Sequence, residues 1–332
     1  MKNAIKDAIC LAQLSNCRTL SIYRDEVSPY GKNNWLCFIK PEITRPSESI
    51  NLDAILELIL DRIGAFGLTI HSATLLSANY LKDHRLIKQH YGVLDDVATN
   101  GLAALSETAA ERLEALSGQP LVNLKVLGGF EMLESYPFFN AHSLDCLWQN
   151  QENIKLGGGA YVEKLRIDLE TIYVLNGFHP RQLDHFTESG RSIVLLDLSG
   201  DLSWAESRRY FIGATNPLKA EAGSLRRLLL EQKAAFGLPE VSQSYNGVHL
   251  SAGPVEALVE RLRFESDYDS GHLIDPISLP FGKQVFETLG HLPEAMMNNQ
   301  VVTWEGHHTS IFDLTEEMDS TKAIEVLSAL RL

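Results

Sequence analysis

Between Gly213 and Glu260 the chain reads GATNPLKAEAGSLRR, then a loop, then YNGVHLSAGPVEALVERLRF. Arg209, Thr215, Arg226 and Asn246 are the residue types that hold a phosphate chain by charge-assisted hydrogen bonds. His249 lies among them, and a neutral imidazole can attack phosphorus and carry the phosphoryl group covalently. A strand histidine taken alone is more often an ordinary core or surface residue. The five residues together are what points to phosphoryl chemistry.

The segment resembles nucleoside diphosphate kinases. That family carries a G-[AE]-T-N-P loop, a G-T-[IL]-R turn, and N-x-x-H-G-S-D before a helix that bears a glutamate. The matching stretches here are Gly213 to Pro217, Gly223 to Arg226, and Asn246 to Ala252. Glu260 follows His249 by eleven residues, the family's spacing for the carboxylate that orients the histidine. The resemblance implies a ping-pong phosphotransferase. In that scheme His249 attacks the terminal phosphorus of ATP, with Mg2+ carried on the nucleotide phosphates and not by protein ligands. Glu260 orients the histidine, Lys40, Arg209 and Arg226 absorb charge, Thr215 donates a hydrogen bond, and Asn246 holds the sugar and phosphate end.

Two departures lie beside the nucleophile. The family's His-Gly-Ser-Asp is His249-Leu250-Ser251-Ala252 here. They leave the phosphate ligands in place but alter the acceptor's surroundings, so the expected acceptor includes a small molecule other than a nucleoside diphosphate. An ordinary nucleoside diphosphate kinase, or a non-catalytic nucleotide-binding regulator on the same fold, are the other readings.

These residues need a sheet to position them. Trp35 to Ile39 reads as a buried strand ending in Lys40-Pro41, where proline stops the ladder and leaves an ammonium at its end. In the family this lysine meets the phosphates. Leu52, Ile55, Leu56, Ile59, Leu60 and Ile63 make one face of a helix that Asn51 can cap, and Leu68 to Leu76 is the next strand. Ser192 to Leu198 is a third strand. Pro254 opens a helix with Val255, Leu258, Val259 and Leu262 buried, and Glu260 lies off that stripe. The expected fold is α+β: a ferredoxin-like βαββαβ core with an antiparallel sheet, elaborated by an α/β insertion and a C-terminal extension. The core is assigned to residues 34–92 and 176–266, flanked by an N-terminal extension (1–33), the insertion (93–175) and a C-terminal extension (267–332).

Leu86 to Tyr91 resembles the family's Leu-Leu-Lys-Glu-His-Tyr, which assigns Tyr91 to the nucleotide site; a register through Leu81 to His84 would put Arg85 there instead. Phe178 to Gly190 resembles the base-clamping segment, with Phe178 and Leu183 as its apolar contacts. Within the insertion, Leu102 to Leu116 reads as helix, Leu121 to Leu127 as strand, Tyr161 to Leu175 as a hairpin around Asp168-Leu169-Glu170, and Gly157 to Gly159 as a hinge. His179 and His185 read as surface residues, and Arg208 as the solvated neighbour of Arg209. Glu305, His307 and His308 read as a polar loop, not a metal site.

The net charge of −14 over 332 residues argues against nonspecific nucleic-acid or membrane-surface binding. Four cysteines without paired spacing read as reduced thiols of a cytoplasmic protein, and no apolar run is long enough to span a bilayer. The resemblance implies a homo-oligomer.

Overall fold

The computed structural model describes residues 1–14, 17–25, 27–150 and 153–330. They form two compact units, one from residues 1–84 and 189–332, the other from residues 85–188.

The first unit is built on a five-stranded antiparallel sheet of Thr19–Arg24 (β1), Asn33–Ile39 (β2), Thr69–Ser77 (β3), Ser192–Gly200 (β4) and Val248–Leu250 (β5). Their order is β1-β3-β4-β2-β5. Helix Leu52–Ala65 (α2) connects β2 to β3, and helix Leu225–Glu231 (α3) lies between β4 and β5. With β1 set aside, this is the βαββαβ order of a ferredoxin-like core, and the fold is α+β as the sequence predicts.

Every residue of β2 and β4 is buried, so the two central strands are covered on both faces. Alternation of side chains divides them. Trp35, Cys37, Ile39, Val194, Leu196 and Leu198 join Ile55, Ile59 and Leu229 in one apolar cluster, which Ile5 and Ile9 of helix Lys2–Leu14 (α1) complete. Asn51 caps α2, its Oδ1 accepting from the Ala54 amide at 3.2 Å. Helix Pro254–Glu265 (α4) packs on β2, and the stacked rings of Phe38 and His249 mark the second face of the sheet. The outer side of α4, Val255 and Leu258, belongs to a separate cluster with Phe281, Val285, Ile311 and Leu327. The C-terminal residues therefore cover α4 and do not hang free of it.

Glu305, His307 and His308 do not form a loop. Val301–Trp304 and His307–Ser310 pair as a hairpin, with Glu305 and Gly306 at the turn, both at positive φ (49° and 82°). Two positive-φ residues in a two-residue connection match the right-handed twist of the strands.

The second unit has a four-stranded sheet. Lys125–Gly128 runs parallel to Glu170–Leu175, which forms an antiparallel hairpin with Ala160–Ile167, and Ile154–Gly157 completes the edge. The hairpin around Asp168 is as expected. The strand expected from Leu121 begins only at Lys125, because residues 121–123 turn as a 3-10 helix after Pro120. His179 and His185 are buried, not on the surface. His179 Nε2 lies 3.0 Å from Asp95 Oδ1 and its Nδ1 lies 3.1 Å from Gln182 Oε1, so ring burial is compensated at both nitrogens.

Candidate active site

His249 sits on the short edge strand β5, directly opposite Phe38 of β2. Its ring stacks on Phe38 with centroids 4.3 Å apart and planes inclined by 19°. The chain then turns at Gly253 and enters α4 with Pro254 in its first turn. This reversal carries Glu260 back under the histidine: Nε2 of His249 lies 2.9 Å from Oε1 and 3.1 Å from Oε2. Glu260 is 1% exposed. The Ser251 hydroxyl lies 2.6 Å from Glu260 Oε2, and the Ser251 amide donates to Leu36 O, so the carboxylate is anchored to the sheet. A carboxylate facing Nε2 favours the tautomer with the proton there. That tautomer carries its lone pair on Nδ1.

Phe38 and Glu256 take part in this site although the sequence reading assigned neither a role. Glu256 precedes Glu260 by one helical turn and accepts the Ala252 amide at 2.7 Å. Burial, with the Glu260 charge added, pushes its carboxyl up to about 8. The i, i+4 spacing of the two glutamates was the available signal.

A second cluster lies where β2 ends beside the start of β5. Lys40 caps a short helix, Pro41–Thr44, and its Nζ donates at 3.1 Å both to Ser244 O and to Asn246 Oδ1, with Glu42 Oε1 3.7 Å away. Burial lowers the Lys40 pKa; the Glu42 carboxylate opposes that shift and the Arg226 charge adds to it. Asn246 Nδ2 donates to the carbonyls of Thr215 and Gln243, each at 3.1 Å. Arg226 is buried, with Nη1 donating to Gly213 O at 2.8 Å and Nη2 to Val248 O at 3.1 Å. Gly213 must be glycine here: its φ is 88°, and a Cβ would overlap the Ser224 hydroxyl.

The residues Ser207–Ile212 form a turn of π-helix that contains both arginines. Arg209 is 63% exposed at its side chain and pairs with Glu221, at 2.6 Å from Nη2. Arg208, expected to be solvated, is instead packed: Nη1 donates to Leu250 O at 3.3 Å and Nη2 to Glu316 Oε1 at 3.2 Å. Successive residues of a helical turn point to different sides, so the two adjacent arginines part here. Thr215 is exposed on the loop that Asn246 holds by its carbonyl. Tyr91 belongs to the second unit, where it closes the helix Leu86–His90 and lies edge-on to the His90 ring at 4.4 Å.

The structure thus brings His249, Glu260, Lys40, Arg226 and Asn246 together, with Thr215 joined through its backbone and Arg209 on an adjoining turn. No protein-family model matches the chain. No curated protein matches it either. Among solved structures, the fold is similar to a nucleoside diphosphate kinase from Encephalitozoon cuniculi, with 13% identity and TM-score 0.34 over 71% of this chain and 90% of that one. A nucleoside diphosphate kinase family protein from Babesia bovis gives 13% identity and 0.33 over 73% and 93%. An NDP kinase from Pyrobaculum aerophilum gives 16% and 0.35 over 74% and 100%. Among the described residues, no helix is long and apolar enough to cross a membrane.

Proposed function

We propose that this chain is a phosphotransferase of the nucleoside diphosphate kinase type, passing the terminal phosphoryl group of ATP through a phosphohistidine at His249. The observation that carries this reading is the bond of His249 Nε2 to a buried carboxylate. With the Nε2 proton held there, Nδ1 attacks the terminal phosphorus in line. The Nδ1–P bond forms, the P–O bond to ADP breaks, and ADP leaves with that electron pair. Glu260 stabilises the positive ring that results. In the second half, an acceptor oxygen attacks the phosphorus, the Nδ1–P bond breaks with its electron pair returning to the ring, and the proton of a hydroxyl acceptor passes to water.

The donor chemistry of Lys40, Arg226, Asn246, Thr215 and Arg209 fits a polyphosphate. Mg2+ would ride on the nucleotide phosphates and neutralise their charge. Catalysis of this kind is mostly positioning and electrostatics.

The acceptor we propose is a small molecule other than, or besides, a nucleoside diphosphate. Leu250 and Ala252 stand where the resembled family has glycine and aspartate, and both are built into the fold. Leu250 is buried, and the carbonyl of Ala252 accepts the Glu317 amide at 2.9 Å. The insertion at residues 93–175 offers loops on which a specificity can be built.

Incubation with γ-labelled Mg-ATP tests the reading. Acid-labile label on His249, absent from His249→Ala, is the expected result. Discharge of the labelled protein is then compared between ADP, GDP, CDP and a panel of alcohols, acids and amides. Discharge by nucleoside diphosphates alone would restore the ordinary kinase.

One observation favours a second reading, a non-catalytic nucleotide-binding or regulatory protein. Lys40 and Arg226 are buried and donate to backbone carbonyls, so a phosphate must displace those bonds. Nucleotide binding without any labelling of His249 is its signature.

A further inference from the structure

Helix α4 carries two consecutive charges to two different strands of one sheet. Glu260 meets His249 on the edge strand β5, and Arg261 meets Asp197 on the central strand β4. Arg261 Nη2 donates to Asp197 Oδ2 at 2.7 Å, and its Nε also reaches Glu265 at 3.1 Å. The Tyr30 hydroxyl donates to the same Asp197 oxygen at 2.6 Å, and the guanidinium lies 5.8 Å from the Tyr30 ring centre. Arg261 and Asp197 are 5% and 2% exposed.

The register links this pair to the histidine. Asp197 is opposite Leu36, and His249 is opposite Phe38 on the same strand β2. Two residues of strand separate these points, about 7 Å. Asp197 Oδ1 is buried and has no hydrogen-bond partner among the described residues. A helix could be packed on a sheet more favourably by apolar side chains, because desolvating an ion pair costs as much as its attraction returns. What a buried pair provides instead is one position: a slide of α4 by a turn, about 5.4 Å, would part Arg261 from Asp197.

We propose that Asp197 and Arg261 are positioning residues that set the axial position and rotation of α4, so that Glu260 meets Nε2 of His249. The kinetic arm of this proposal rests on the phosphohistidine reading; the spectroscopic arm does not.

The test uses the full chain with 15N-labelled histidine, His249 being assigned by its loss in His249→Gln. Wild type is expected to show one tautomer at His249, with the proton on Nε2; a mixed pattern there overturns the proposal. The double variant Asp197→Leu with Arg261→Met removes both charges of the pair, and Glu265, which burial already pushes up, is left to take a proton when Arg261 is gone. It is expected to unfold cooperatively near the wild-type Tm. Its His249 ring nitrogens should nevertheless move to the pattern of Glu260→Ala, and labelling by Mg-ATP should slow tenfold or more, on the order of one step in the rate scale. Wild-type ring signals in the folded double variant overturn the proposal. If the double variant does not fold, Arg261→Lys decides: a ring shift toward Glu260→Ala supports the proposal and an unchanged ring overturns it. A wild type that never accepts label from ATP removes the phosphotransferase reading and leaves the ring signals to decide this one.

Discussion

Glu256 and Glu260 stand one turn apart on α4 and divide the bend after His249 between them. Glu260 faces Nε2 of the histidine, and Glu256 accepts the Ala252 amide at 2.7 Å. The Glu260 charge adds to burial in raising the cost of ionising Glu256.

Stability should therefore depend on pH through Glu256. Its carboxyl is pushed up to about 8 by burial and by Glu260, against an ordinary value of 4.5. Between these values the folded chain binds more protons than the unfolded one. The stabilisation is full below 4.5 and is lost as pH rises toward about 8. Urea midpoints measured across that range should fall more steeply for wild type than for Glu256→Gln. Parallel curves would mean that Glu256 is ionised in the fold.

Glu260→Gln keeps the size of the side chain but removes the charge that stabilises a positive ring. Labelling of His249 by Mg-ATP should slow, by less than the roughly hundred- to thousandfold expected for loss of a preorganised charged donor. Single-turnover rates at several pH values give the comparison; a rate equal to wild type would detach Glu260 from the chemistry.

The two arginines should separate stability from rate. Arg226→Ala deserts the carbonyls of Gly213 and Val248, and should destabilise by about 2–4 kcal/mol as well as slow labelling. Arg209 is exposed and paired with Glu221, so Arg209→Ala should cost under about 1 kcal/mol in stability. Its labelling rate should still fall by roughly a hundredfold or more. An unchanged rate in Arg209→Ala would show that this guanidinium meets no phosphate.

Two glycines give opposite outcomes with alanine. Gly213→Ala meets both a φ of 88° and the Ser224 side chain, and should destabilise by about 1–3 kcal/mol. Gly64 lies inside α2 with nothing near its missing Cβ, and Gly64→Ala should stabilise by about 0.5–1 kcal/mol. Chemical denaturation of both variants checks the pair.

The core was legible because period and caps agree in the sequence. The stripe from Leu52 to Ile63, the Asn51 cap and the Pro41 stop each carry a local signal, and each lies where that signal puts it. The pairing of His249 with Glu260 was legible only through the family resemblance; the helix pattern by itself put Glu260 off the buried stripe, yet it is 1% exposed. What sequence spacing hid were contacts made across the sheet. Arg261 and Asp197 drew no reading from the sequence, because nothing local in either residue reports the other. His179 failed for the same reason, because its partner Asp95 is remote in the chain. Arg208 was missed because it was read only as the neighbour of Arg209, and its partners Leu250 and Glu316 are remote in the chain.

The central strand β4 is also late in the chain. β2 and β3 both lean on it, yet it follows the whole of residues 85–188. During translation at about 5–20 residues per second, the first two core strands wait on the order of 5–20 s for their partner. For that interval the ribosome exposes two apolar strands with open ladders, Trp35 to Ile39 and Ala73 to Leu76 among them. Holdase chaperones, or a prompt collapse of residues 85–188 by themselves, would set the yield of this protein more than its final stability does.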